Sequence, residues 1–173
     1  MGYKPMIVFY LDTSAFVKRY RTEKGTEVMD QIFALLDLDA SKKASTSMLG
    51  VLEFVSACSR LQKNQEIEAD DFNNLFAQFL EDLEKYYLIR PLNDQVVVAG
   101  IKEIIEHRLK SADSLHLATA LRLERILGDE NLVVFVTADE ELFKAAREEG
   151  IETINPCRKG VSKKIQNLSD RNP

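Results

Sequence analysis

Ile7-Val8-Phe9-Tyr10-Leu11, running straight into Asp12-Thr13-Ser14, is the stretch that decides how this chain folds. Five consecutive apolar residues leave no polar face, so the run reads as a strand buried on both sides. Asp12-Thr13-Ser14 then offers side-chain acceptors to the backbone N–H groups of a helix beginning around Ala15. The same strand-to-helix grammar returns near the other end. Leu132-Val-Val-Phe-Val136 is the clearest strand in the chain, and a helix over residues 140–148 follows it, stopped by Gly150. Briefer strands are expected near residues 43–46, 86–90 and 151–154. Apolar residues recur at helical spacing over 26–36, 47–62, 69–84, 94–107 and 112–127. In the third of these helices Phe72, Leu75, Phe76, Phe79, Leu80 and Leu83 form one stripe. Strands alternating with helices imply an α/β fold in three layers, a mostly parallel central sheet flanked by helices.

The 173 residues make one domain with enough length for a proper core. There is no internal repeat, low-complexity stretch or interdomain linker. No apolar run approaches the roughly 20 residues of a membrane span, and the segment Met6–Leu11 is too short for a secretory signal, so a cytoplasmic location is expected. Cys58 and Cys157 lack metal-type spacing and are expected to be structural or incidental. His107 and His116 are too few for a zinc site of the usual type. A net charge of −5 argues against a surface that grips nucleic acid all over, but not against a local basic rim around an acidic, metal-neutralised site.

Four carboxylates stand where chemistry is possible. Asp12 and Asp139 each follow a strand, and in an open parallel sheet ligands bind beyond the carboxyl ends of the strands. Each also has a purely local reading. Asp12 can cap its helix, and Asp139 can complement a helix dipole beside a capping box of Thr137 and Glu140. Asp113, in Lys110-Ser-Ala-Asp-Ser-Leu-His116, can be a first-turn acid with Ser111 as the cap. Glu53 lies mid-helix among apolar residues, with Gly50, Ser56 and Ala57 on its face and no Lys or Arg one turn before it. A charge buried there needs compensation, and a metal ion shared with the other acids would supply it. Convergent carboxylates call for a hard divalent ion, Mg²⁺ or Mn²⁺.

Four segments resemble the motifs of PIN-domain nucleases, in the family's order: Tyr10–Tyr20, Ser47–Ala57, Ser111–Ala120 and Val136–Leu142, with Gly150-Ile and Asn155-Pro156 after them. The nearest subgroup is the toxin component of VapBC toxin–antitoxin pairs. This resemblance implies a PIN-like fold and Mg²⁺- or Mn²⁺-dependent endonucleolytic cleavage of RNA. Asp12, Glu53 and Asp113 match the family's core acids and Asp139 its more variable fourth, while Thr13, Ser14 and Thr137 fall at neighbouring polar positions. It further implies a homodimer inhibited by a small antitoxin protein. Residues 1–156 are expected to form the nuclease domain, and 157–173 a tail that is loosely ordered or orders against a partner.

His116 reads as a packed, hydrogen-bonded core histidine or, one turn after Asp113, as a general acid. Lys18, Arg19, Arg108 and Lys110 flank the motifs and are available to phosphates or to solvent. A phosphatase or receiver-like switch fits poorly, since Ser14 occupies the second acid of the phosphatase Asp-x-Asp and Asp113 opens a helix. A housekeeping RNA-processing nuclease and an inactive binding module on the same fold remain as alternatives.

Overall fold

The computed structural model describes residues 5–169. Strand β1 (Ile7–Leu11) pairs in parallel with β2 (Lys42–Ser47) on one side and β4 (Leu132–Val136) on the other. Beyond them lie β3 (Tyr87–Arg90) and β5 (Glu152–Ile154), so the described sheet runs β3-β2-β1-β4-β5 with every pairing parallel. All five residues of β1 are buried, as an uninterrupted apolar run at the centre of a parallel sheet demands.

Successive side chains of β1 enter opposite cores. Ile7, Phe9 and Leu11 pack with α2 (Thr26–Leu38), α3 (Met48–Lys63) and α4 (Ala69–Tyr86). Val8 and Tyr10 pack with α6 (Ser111–Leu127) and α7 (Glu140–Glu148). The three-layer α/β expectation holds in both layers and order. A one-turn helix, α1 (Thr13–Phe16), and a 3-10 turn (Val17–Arg19) carry the chain off β1. Helix α5 (Asp94–His107) lies against α6.

An aromatic cluster joins the early elements. Phe16 of α1 meets Phe54 of α3, Phe79 of α4 and Tyr87 of β3 at ring-centroid distances of 5.2, 5.4 and 5.1 Å. Phe54 and Phe79 lie 4.3 Å apart. These contacts fix the start of the long α3–α4 pair against the sheet and so set where α3 presents its side chains.

The tail differs from the expectation of loose order. Residues 161–169 form a helix, α8 (Val161–Ser169), that buries Ile165 and Leu168 in the core beside α2. Its Lys164 ammonium donates to the Thr153 carbonyl at 2.8 Å, and Gln31 of α2 donates to Ser162 Oγ at 3.1 Å. The approach to it is also tied down, with Arg158 paired to Glu140 and stacked 4.1 Å from the Phe143 ring centroid. Val161, Ile165 and Leu168 recur at i, i+4 and i+7, a helical spacing that the expectation of a loose tail passed over. Residues 170–173 of the expected tail lie outside the described residues. No described helix is long and apolar enough to cross a membrane.

Because α8 is packed, Ile165→Ala should destabilise the protein by roughly 2–5 kcal/mol, read as a lower urea midpoint at unchanged m-value. An unchanged midpoint would show that α8 contributes no core.

Candidate active site

The carboxyl ends of β1 and β4 lie side by side, and the turns leaving them form one wall of a cleft of about 510 Å³. Asp12, Thr13, Glu53, Asp113, His116 and Asp139 all line it. All four sequence-predicted acids therefore reach one cavity, from β1, α3, α6 and the start of α7. The local readings are partly realised alongside.

Asp12 is 3% exposed and caps α1, its Oδ1 accepting from Ala15 N–H at 2.8 Å. Thr137 Oγ1 donates to Oδ2 at 2.7 Å, and the Ser14 hydroxyl lies 2.9 Å from both oxygens. Ser14 Oγ also accepts from Ala138 N–H at 2.8 Å, stitching the turn after β1 to the turn after β4. Burial pushes the Asp12 carboxyl up, against the opposing pull of His116, Thr137, Ala15 and Ser14.

The cap of α7 is not the one expected. Asp139 itself is the N-cap, with Oδ1 accepting from Glu141 and Leu142 N–H at 2.9 Å each. The Thr137–Glu140 box does not form. Thr137 Oγ1 instead accepts from Asp139 N–H at 3.1 Å while donating to Asp12, and Glu140 pairs with Arg158. The expectation that Asp139 is not a capping residue is thus overturned. An N-cap engages only one carboxylate oxygen here, so Oδ2 is not used by it.

Asp113 sits in the first turn of α6, whose N-cap is Lys110 without a side-chain cap, not Ser111 as expected; the Ser111 carbonyl accepts from Ser114 Oγ. Burial raises the Asp113 carboxyl, and the charges of Asp139 and Asp12 raise it further. This repulsion follows from the acids lining one cleft.

Glu53 is compensated differently from the sequence argument. Its side chain is 31% exposed, so it is less buried than its neighbours suggested. Its Oε2 lies 3.0 Å from His116 Nε2 and accepts a short hydrogen bond from Thr13 Oγ1. These contacts, His116 first, hold the Glu53 carboxyl below its ordinary value. A carboxylate only accepts, so Nε2 carries a proton, and Nδ1 lies 3.1 Å from the Tyr10 hydroxyl. His116 is both the packed core histidine and a lining residue. Thr46 and His116 close in on Gly50 beside Glu53: a Cβ there would come within 2.5 Å of Thr46 Oγ1 and 3.2 Å of His116 Cε1.

Of the flanking cations only Lys18 lines the cleft, ion-paired with Glu23 at 2.6 Å. Glu23, unnoticed in the sequence, is a fifth lining carboxylate. Arg19 turns away to Asp82 at 3.2 Å and to the face of Phe33. Arg108 lies in a separate depression with Glu106 and Glu148. Lys110 and Arg60 are near enough to draw down Asp113 and Glu53 respectively.

The donor set of the cleft is all hard oxygen apart from one committed histidine, which suits Mg²⁺ or Mn²⁺. No three of its acids bring oxygens within 4.8 Å of one another among the described residues; the triad that does lies elsewhere. Spaced acids fit an ion that keeps several waters and takes one or two carboxylates directly.

With this geometry in view, residues 9–148 match the family model described as the PIN domain. The chain belongs to the PIN-domain family. Ribonuclease VapC45 of Mycobacterium tuberculosis (strain CDC 1551 / Oshkosh) is 29% identical over 148 residues, covering 84% of this chain and 93% of the relative. Among solved PIN-like folds, VapBC2 from Rickettsia felis, bound to a DNA fragment from its promoter, has a TM-score of 0.58 at 13% identity. It covers 86% of this chain and 98% of the other. A toxin–antitoxin complex from Klebsiella pneumoniae has a TM-score of 0.54 at 16% identity, covering 85% and 96%. The matched residues include Asp12, Glu53, Asp113 and Asp139.

A raised carboxyl costs stability above its folded pKa, and the cost fades as pH falls through that value toward the unfolded one. Asp113→Asn, in chelator-treated protein, should therefore raise Tm at neutral pH, with the gain shrinking toward the ordinary carboxylate range near pH ~4. A gain independent of pH would contradict the repulsion seen here.

Proposed function

We propose that this PIN-domain protein is a metal-dependent endoribonuclease acting as the toxin of a toxin–antitoxin pair. The observation that carries the reading is the convergence of Asp12, Asp113, Asp139 and Glu53 on one cleft, with Asp113 destabilised by its acidic neighbours. The relative named as a VapC ribonuclease supports RNA as the substrate.

Asp12, Asp113, Asp139 and Glu53 are the residues proposed to hold Mg²⁺ or Mn²⁺. When bound, such an ion would supply Lewis-acid polarisation of the phosphate and acidify the attacking water. The remaining parts are positional. Thr137, Ser14 and the Ala15 N–H hold the Asp12 carboxylate in one orientation, and Thr137 also fixes the Asp139 backbone. Thr13 and His116 restrain Glu53 from the side away from solvent. With Nε2 committed to Glu53 and Nδ1 to Tyr10, His116 is a positioning residue rather than the proton donor to the leaving group. Lys110 and Arg60, whose charges reach Asp113 and Glu53, are the cations proposed to meet RNA phosphates.

Cleavage of mixed RNA in Mn²⁺ should fall at least ~100-fold in Asp12→Asn and Asp113→Asn with the circular dichroism spectrum retained. Equal activity in all three proteins would remove the nuclease assignment. For the toxin role, a small protein co-purifying from the native host should block that cleavage; an active enzyme recovered alone would favour a housekeeping nuclease.

A second copy of the chain is the proposed partner for α5. Val97, Val98, Ile101, Ile104 and Ile105 stand exposed along it, Ile105 by 74%, an apolar surface that single soluble domains rarely leave uncovered. Ile105→Glu should shift sedimentation from dimer to monomer. A wild-type protein that sediments as a monomer at the same concentration would dispose of the dimer.

A further inference from the structure

Away from the cleft, α5 ends against the end of α7, and a second polar cluster lies between them. Glu103 and His107 are one turn apart on α5, and Glu149 is the C-cap residue of α7. His107 Nε2 lies 2.9 Å from Glu149 Oε1 and 3.6 Å from Glu103 Oε2, and one ligand atom from each residue falls within 4.8 Å of the others. A tetrahedral ion with bonds of about 2.0 Å needs ligand atoms about 3.3 Å apart, between those two distances.

Glu103 supplies the independent observation. It is 2% exposed, and its Oε2, directed at this cluster, has no hydrogen-bond partner among the described residues. An orphaned carboxylate oxygen in the interior is costly unless a cation meets it. The surroundings are arranged as metal sites commonly are. His107 Nδ1 lies 3.1 Å from Glu148 Oε2, the outer carboxylate that fixes a ligating imidazole in the tautomer with Nε2 free. Lys102 lies 3.7 Å from Glu103 Oε1, 3.0 and 3.1 Å from the two oxygens of Glu149, and 3.2 Å from Glu106, offsetting part of the cluster's negative charge.

We propose that Glu103, His107 and Glu149 form a structural divalent-cation site of the zinc class that clamps the end of α5 to the end of α7. Two histidines are too few for the usual zinc sets, but here one imidazole and two carboxylates make up three ligands and water completes the fourth position. The site shares no residue with the nuclease cleft. In the metal-free protein a proton on Nε2 is the rival occupant, held there by Glu149 and Glu103.

Zinc chloride titrated into the Asp12→Asn/Asp113→Asn double variant, in mildly alkaline buffer, tests the clamp without two acids of the cleft. One equivalent should bind, and Tm should rise on the order of 5 °C at a hundredfold excess over Kd. In the same background His107→Gln and Glu103→Gln should each weaken uptake at least ~10-fold and lose most of the Tm rise, with folding verified by circular dichroism. Co²⁺ should give the visible absorption of a four-coordinate ion with an imidazole ligand, absent in His107→Gln. No zinc uptake by the folded double variant, or uptake unchanged by both substitutions, overturns the site. His107→Gln alone should leave RNA cleavage unchanged, so the clamp and the nuclease reading fail separately.

Discussion

Strand β1 is hydrogen-bonded along both edges and buried on both faces, which leaves the chain one exit, at the carboxyl edge of the sheet. Asp12 is the first residue past that exit. Because β4 is parallel and in register beside β1, its own exit delivers Thr137 to the same point, 2.7 Å from Asp12. Buried acids are normally avoided, and here one is held by donors from both strand ends. The cleft is a consequence of where two parallel strands stop.

The acids then sort by environment. Asp12 is pushed up by burial, and Asp113 by burial and the charges of Asp139 and Asp12, while Glu53 is pulled down by His116 and Thr13. A single cleft thus contains carboxylates that resist their charge and one whose charge is already matched. The first kind has something to gain from a divalent cation. The second reads as a fixed post against which the others are arranged.

Much of this was legible in the sequence, and the misses have physical causes. Long apolar runs and helical stripes are local signals, so β1, β4 and the helices from 26–36 through 140–148 could be placed. Acids after strands could be assigned to one sheet edge because parallel topology puts every such exit on the same side. What crosses the fold could not be read. The partner of Glu53 is His116, sixty-three residues later, where a local search for Lys or Arg finds nothing. Asp139 took the cap of α7 because Thr137 was drawn across to Asp12, a choice that only the pairing of β1 with β4 explains. Helix α8 carries only three apolar residues, Val161, Ile165 and Leu168, in a polar run of nine, and the core they pack into beside α2 is assembled across the fold.

The order of pieces along the chain has a bearing on synthesis. The turn after β1 emerges first, yet its Asp12 depends on Thr137 and its Ser14 on Ala138, more than a hundred residues downstream. While β4 is still inside the ribosome, the central strand lacks one of its two neighbours and the Asp12 carboxylate lacks its principal cross-strand donor. A nascent chain therefore carries an unfinished cleft until nearly all of the protein is made. Parallel topology thus defers the assembly of the site to the end of translation, which would matter to an enzyme acting on RNA as proposed.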